Sequence, residues 1–416
     1  MNLQEKIAGL CVKAKTASYS LALAKDSERS GALRILSEKL RRPEITGKII
    51  AANDSDISYA KENNLTAALI DRLKLDETRI NNIADALLKI INLPDPLNRG
   101  EVWTRPNGMN IKKIKVPLGV IGIIYESRPN VTIDAAALCI KSGNAVVLRG
   151  GKEAIFSNTV LAELIKSALS EAGLDPDCVQ FIDDITRESA NILMKQRGSV
   201  DVLIPRGNAP LINSVAENSN IPVIETGVGN CHIYVDDSAD FDEAAHIILK
   251  SKTRSSVCNA VETVLVSQKI YKDFLPVMKR RLDELSVELR GCEKTCEILS
   301  CAAAEDEDYY TEFLDYILSV KIVEGLDAAV EHINKYNTGH SEAILTQNLN
   351  NAREFCERVN AAAVYVNVST RFTDGEEFGF GAEMGISTSK LHARGPVGPA
   401  DLTTVKYIID GDNLVR

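Results

Sequence analysis

From Gly119 onward the chain falls into a rhythm that few folds can absorb. Short apolar runs at Val120–Tyr125, Ala145–Arg149, Val179–Ile182, Val200–Ile204 and Pro222–Glu225 alternate with stretches of helical spacing at Val131–Lys141, Asn158–Ala172, Ser189–Gln196 and Ala209–Glu217. A strand that is apolar along its whole length is covered on both faces, and a helix between successive strands makes them parallel. The pattern predicts a doubly wound α/β sheet. A second round follows, with strands at His232–Val235, Val261–Val266, Val320–Val323, Ala343–Leu345 and Ala363–Val368. Its helices are expected at Phe241–Lys252, Lys272–Leu289, Ala328–Tyr336 and Ala352–Val359. At 416 residues the chain exceeds what one ordinary core fills, so two α/β domains flanking a cleft are expected.

The flanking segments read differently. Residues 3–92 are helix-rich: Leu21, Leu23, Ala24, Leu33, Ile35, Leu36 and Leu40 keep helical spacing, and Pro43 is expected to close that segment. Ile80, Ile83, Ala84, Leu87, Leu88 and Ile91 mark another amphipathic helix ahead of Pro94 and Pro96. Two extended runs, Glu101–Arg105 and Ile111–Val116, flank Pro106-Asn107-Gly108, and Asn-Gly between such runs predicts a hairpin. A two-stranded ribbon does not stand alone in water, so it must pack on its own subunit or another. Ser369–Gly375 and Glu377–Glu383 are irregular and glycine-rich, as a loop beside a ligand would be, and Leu402–Ile409 reads as a last strand.

Charge narrows the partners. The formal net charge of −10 opposes nucleic acid and anionic membranes. No apolar run approaches the length of a membrane span, and no basic-then-apolar leader opens the chain, which points to a soluble cytoplasmic protein. Nine scattered cysteines, an odd number in so long a chain, argue against a disulfide framework. Cys292, Cys296 and Cys301 cluster, but no second pair of cysteines or histidines stands at zinc-site spacing. No metal is expected.

Candidate chemistry gathers at a few places. Cys258 lies between the helix Phe241–Lys252 and the strand Val261–Val266, with Lys252 and Arg254 close in sequence. A rigidly held cysteine among cations suits a thiolate nucleophile, although a lone cysteine is more often a small buried hydrophobe. Two strand-to-helix turns, Arg149-Gly150-Gly151-Lys152 and Pro205-Arg206-Gly207-Asn208, could cradle phosphates at a helix start or be ordinary turns with solvated charges. Glu225 ends a strand where ligands bind such sheets, and is equally a turn acid. Asn130, after Arg128 and Pro129, can cap its helix or donate to an oxyanion. Arg371 and Arg394 can hold an anion or be surface charge.

Taken together, these stretches resemble the γ-glutamyl phosphate reductase family of the aldehyde dehydrogenase superfamily, over nearly the whole chain. The likeness is carried by Lys115–Thr132, Val146–Ala154, Val202–Gly207, Glu225–His232, Cys258–Thr263, Ser369–Gly375 and Ser389–Gly398. It implies an aldehyde dehydrogenase-like α/β fold, two doubly wound domains with a small β extension for oligomerisation. Residues 1–228 would form a cofactor-binding domain with the hairpin 100–116 projecting from it. Residues 229–365 would form a catalytic domain carrying Cys258, and 366–416 a return segment with an active-site loop and a C-terminal oligomerisation strand.

The resemblance also implies roles. Cys258 matches the nucleophile, and Asn130 the oxyanion donor alongside the Cys258 backbone N–H. Glu225 sits where hydrolytic members keep the glutamate that activates water. Glu312 matches the residue that holds the nicotinamide ribose, although the glycine and proline usual after that motif are absent here. Arg149 stands where a lysine often covers the adenosine ribose, and Lys152 where NAD-dependent members often have a glutamate; Gly150, Pro205, Arg206 and Gly207 complete the cofactor turns. Arg128, Arg371 and Arg394 are the candidates for the substrate's anionic groups.

The implied reaction is the second step of proline biosynthesis: L-glutamyl 5-phosphate and NADPH give L-glutamate 5-semialdehyde, phosphate and NADP through a Cys258 thioester. A monofunctional reductase is expected, since no kinase domain precedes the helical segment, and with it a homo-oligomer and a functional association with glutamate 5-kinase. Two alternatives are an ordinary hydrolytic NAD(P)-dependent aldehyde dehydrogenase and a non-enzymatic protein of the same fold. Lys152 and the Thr370–Gly375 loop argue against the first; Cys258, Asn130 and both turns argue against the second.

Overall fold

Apolar strands and the helices covering them sort the chain into two units, described by a computed structural model over residues 2–415. One unit runs up to Thr226 and adds Phe380–Gly385 and the chain from Val397 onward; the other comprises Gly227–Gly379 and Ile386–Pro396. The stretch 366–416, read from the sequence as one return segment, contributes to both.

In the first unit four parallel strands lie in the order Val179–Phe181, Ala145–Arg149, Val120–Tyr125, Val202–Arg206. Val120–Tyr125 is buried along its whole length, as its unbroken apolar run demands. The chain winds outward on one side of this strand and then returns to its other side. The carboxyl ends of Val120–Tyr125 and Val202–Arg206 therefore flank the point where winding reverses, the usual ligand crevice of such sheets. The expected fifth strand is absent: Pro222–Glu225 makes only a single parallel bridge, Leu203 to Val223. Pro222 has no N–H to offer a ladder, which accounts for the loss.

The N-terminal helices pack beside this sheet. Pro43 does not close the segment but opens the helix Pro43–Glu62 at its first turn, where a missing N–H costs nothing. That helix supplies Asp56, whose carboxylate accepts the Phe156 and Ser157 N–H groups (3.1 and 2.8 Å) at the start of the helix Ile155–Glu171. The supposed scaffold thus sets the helix after the first glycine turn.

The hairpin forms as expected, Gly100–Thr104 against Asn110–Pro117, and Thr403–Asp410 adds a third antiparallel strand. Both outer strands are exposed almost throughout, with Trp103 and Tyr407 in edge-to-face contact at 6.5 Å.

The second unit is built on seven strands, ordered Ala302–Ala303, Glu288–Gly291, Ile317–Val323, Val261–Ser267, Cys231–Val235, Ser341–Leu345, Ala363–Val366, all parallel. Its central strands Cys231–Val235, Val261–Ser267 and Ser341–Leu345 are wholly buried. The expected helix Lys272–Leu289 stops at Leu282, because Ser286 turns left-handed (φ 53°) and Glu288–Gly291 becomes a strand. Helical spacing cannot register such a reversal, which rests on one residue's backbone.

Candidate active site

In the second unit Cys258 occupies the turn between the helix Phe241–Lys252 and the strand Val261–Ser267, half-buried at the N-terminal edge of the parallel strands. Its backbone is crowded. A Cβ on Gly229 would lie 1.4 Å from the Cys258 carbonyl oxygen, so only glycine lets the 227–230 loop approach this closely. The same carbonyl accepts the Cys231 thiol at 3.3 Å. The Gly229 N–H in turn goes to Glu312 (2.7 Å), a carboxyl raised chiefly by burial. Glu312 therefore braces the loop that backs Cys258.

The cations near the thiol are not the pair suggested by sequence proximity. Lys252 is fully buried and spent on Glu262 at 2.5 Å, and Glu262 also accepts the Leu314 N–H (3.2 Å). Burial pushes the Glu262 carboxyl up to about 7 and lowers Lys252, each opposed by its partner. Arg371 takes Lys252's place. Burial and then neighbouring Arg254 hold its guanidinium below the ordinary value, while Cys258 and Asp374 act in the opposite sense. Two arginines are thus within electrostatic reach of the Cys258 loop, the setting that favours a thiolate.

Asn259, the next residue, ties this arrangement together. Its amide nitrogen donates to the Arg371 and Thr373 carbonyls (3.1 and 3.0 Å), its amide oxygen accepts the Arg371 guanidinium, and its carbonyl accepts Thr370 Oγ1 (2.8 Å). One neutral side chain fixes the 369–375 loop against a segment more than a hundred positions earlier. Arg394 is elsewhere on this unit, donating to Asn360 (3.0 Å).

In the first unit Asn130 opens the helix Asn130–Lys141 but does not cap it. Its amide nitrogen donates to Asp134 Oδ2 at 2.9 Å, one turn along the helix. Burial pushes Asp134 up to about 6, against this hydrogen bond and the Arg206 charge. Arg206, read from the sequence as a cofactor residue, therefore lies within reach of the Asn130–Asp134 pair. Its guanidinium packs on Gly385, where a Cβ would come within 2.2 Å.

Both glycine turns already hold carboxylates. Glu126 accepts the Asn208 N–H (3.2 Å) at the start of Ala209–Asn218, and a Cβ on Gly207 would meet it at 2.5 Å. Glu153 accepts the N–H and hydroxyl of Ser127 (2.6 and 2.7 Å), holding that residue at a left-handed φ of 44°. With Asp56 on the Phe156 and Ser157 N–H groups, carboxylates of the chain itself accept backbone donors at both helix starts. Arg149 is tied to the Ile185 and Thr186 carbonyls and to Ser189 (3.3, 2.7 and 3.3 Å). Gly150 is required for packing, since a Cβ would strike Asn158 at 2.2 Å. Pro205 is buried and its carbonyl accepts Thr226 Oγ1 (2.7 Å). Lys152, Arg128 and Glu225 are exposed.

Asp134, Glu126, Glu153 and Asn259 carried no assigned role in the sequence reading. Asp134 had a signal, its four-residue offset from Asn130; the partners of the others are too distant in sequence. Among the described residues no group of three or more His, Cys, Asp or Glu side chains could hold a metal, and no helix is long and apolar enough to cross a membrane.

The comparisons agree with this architecture. A model of the aldehyde dehydrogenase family matches residues 46–315 and 298–402. The γ-glutamyl phosphate reductases of Clostridium perfringens and Clostridium acetobutylicum are 55% and 52% identical, aligned over 97% and 100% of this chain and 98% and 100% of theirs. The chain belongs to the aldehyde dehydrogenase family, in its γ-glutamyl phosphate reductase branch. The crystal structure of that reductase from Thermotoga maritima superposes with a TM-score of 0.96 at 45% identity, covering all of both chains. An acetylating aldehyde dehydrogenase of Geobacillus thermoglucosidasius, 18% identical, shares the fold at a TM-score of 0.71 over 100% of this chain and 98% of its own.

Proposed function

We propose that the protein reduces L-glutamyl 5-phosphate to L-glutamate 5-semialdehyde and phosphate, with NADPH as reductant and a thioester on Cys258 as intermediate, in proline biosynthesis. The observation that carries this reading is the cation-flanked Cys258 beside the Asn259-clamped loop, in a chain of the reductase branch. The Cys258 thiolate attacks the acyl carbon, the carbon–oxygen bond to phosphate breaks, and the departing phosphate takes up a proton from water to leave as its dianion. The departing charge needs a cation, and Arg371 is the candidate at this loop. Asn130 is the candidate oxyanion donor: one of its two amide hydrogens goes to Asp134, which fixes the direction of the other.

Exposed Lys152, beside the Gly150–Gly151 turn of a doubly wound sheet, fits a ribose 2′-phosphate, and Glu312 is the family's choice for the nicotinamide ribose. The cofactor, when bound, supplies the hydride that turns the thioester into the aldehyde. An exposed ribbon rich in apolar side chains supports self-association through Gly100–Thr104 and Thr403–Asp410. Because acyl phosphates hydrolyse readily, a functional association with glutamate 5-kinase follows from the same chemistry.

The test is the reverse reaction. Semialdehyde and NADP should give a brief burst of NADPH and almost no steady rate without phosphate, then turnover that saturates as phosphate is added. Steady oxidation at comparable speed without phosphate would return the chain to the hydrolytic aldehyde dehydrogenases, with Glu225 activating water. Arg371→Ala should raise the phosphate requirement about ten- to hundredfold with little change in NADP affinity, the scale of one charge-assisted contact.

A further inference from the structure

The cysteine cluster at the edge of the seven-stranded sheet has no part in the reaction above, yet its geometry is specific. The Sγ atoms of Cys296 and Cys301 are 3.6 Å apart, and both residues are half-buried. Two features bring them together. The helix Glu293–Leu299 ends in Ser300, which turns left-handed (φ 51°) and folds Cys301 back toward the helix. Gly291, on the adjoining strand, leaves the space that the Cys301 sulfur fills, since a Cβ there would lie 2.8 Å from it. Cys292 is engaged separately: its sulfur accepts the Ile322 N–H (3.4 Å) and touches Thr295 Oγ1 (3.3 Å).

We propose that Cys296 and Cys301 form an oxidisable dithiol, closed to a disulfide by a peroxide and reopened by a small thiol. The sulfurs need to approach by roughly 1.5 Å to reach the bonding distance of about 2 Å, a displacement within the range of χ1 rotation. In the first step one thiolate attacks the peroxide. The O–O bond breaks, a sulfenic acid forms, and hydrogen peroxide is reduced to water. In the second step the neighbouring thiol displaces the sulfenic oxygen as water and the S–S bond forms. Two thiols and one peroxide thus give one disulfide and two waters. Burial pushes the Cys301 thiol up to about 11, so closure quickens as pH rises. The bond would join the middle of the helix Glu293–Leu299 to the head of the edge strand Ala302–Ala303 without involving Cys258. This inference does not rest on the proposed reaction.

Trypsin isolates the pair. Cleavage after Lys294 and Lys321 leaves Cys296 and Cys301 as the only cysteines on the peptide Thr295–Lys321, with Cys292 on Gly291–Lys294. The reduced full-length protein is treated with hydrogen peroxide, blocked with N-ethylmaleimide and digested without reductant. The expected product is Thr295–Lys321 about 2 Da lighter and unalkylated, restored to a doubly alkylated peptide by prior dithiothreitol. Oxidised protein should melt a few degrees higher, as a short closed loop predicts. Cys301→Ser should abolish both changes and Cys292→Ser neither. Recovery of Thr295–Lys321 doubly alkylated after Cys258 or exposed Cys356 has been oxidised would overturn the proposal, as would a bond from either sulfur to Cys292.

Discussion

The loop around Cys258 and the turns at the end of the four-stranded sheet solve opposite electrostatic problems. Around Cys258 the facing cation is Arg371 with Arg254 beside it, the 369–375 loop is held by a neutral amide, and the buried carboxyls Glu262, Glu342 and Glu312 are hydrogen-bonded to Lys252, His232 and the Gly229 N–H. At the sheet end, carboxylates do the holding: Glu126, Glu153 and Asp56 accept backbone N–H groups, and Asp134 accepts the Asn130 amide. An anion placed beside a thiol would raise its pKa and silence it, whereas an anion at a helix start is stabilised by the dipole. The difference teaches that a charge at a turn is not by itself a ligand site; what matters is whether the chain has already answered it.

The largest effect should come from Cys258, the proposed nucleophile. Cys258→Ala should lower turnover at least about a thousandfold while leaving NADPH affinity, measured by fluorescence titration, nearly unchanged. Retention of a substantial fraction of kcat would mean that the arginines around Cys258 serve something other than a thiolate.

Next is the pair that removes Lys252 from the thiol. Lys252→Met leaves Glu262 buried without its cation and should cost about 3–5 kcal/mol in denaturant unfolding. Lys252→Met with Glu262→Leu should recover much of that loss. A single variant of unchanged stability would show that the pair is not the structural element argued here.

At the sheet end, Lys152→Glu should weaken NADPH binding by about 1.5–3 kcal/mol and lower the NADPH/NADH preference. An unchanged ratio would move the 2′-phosphate away from the one cation that this turn leaves exposed.

The most gradual effects are in pH dependence, and they run in opposite directions in the two units. His340 is fully buried and burial lowers it from 6.5 to about 4, so the unfolded chain binds a proton that the native state refuses. Its contribution is complete above pH 6.5 and is lost as pH falls toward 4, on the order of 3 kcal/mol in all. Asp134 has the reverse sign: its carboxyl is raised from 3.8 to about 6, so the native state keeps a proton the unfolded chain releases, and stability falls as pH rises through that window. Urea midpoints between pH 4 and 7 should therefore rise less steeply in His340→Asn than in the parent, and more steeply in Asp134→Asn. Parallel profiles for all three proteins would refute both assignments.

Periodicity in the sequence is enough to specify most strands and helices, because burying both faces of a parallel strand requires an unbroken apolar run. Val120–Tyr125, Ala145–Arg149 and the helix Phe241–Lys252 are legible residue for residue. The missed strand Glu288–Gly291 and the lost strand at Pro222 turn on one backbone angle and one absent N–H, which hydrophobic spacing does not carry. Motif likeness likewise singled out Cys258, Asn130, Arg371 and Lys152 as residue types suited to their chemistry. Which charges surround them was decided only by tertiary structure. Lys252 is six positions from Cys258 yet is consumed by Glu262, while Arg371, more than a hundred positions away, is brought to the same loop by Asn259. Electrostatic interaction falls with distance through space and with the dielectric between the charges, and proximity along the chain fixes neither.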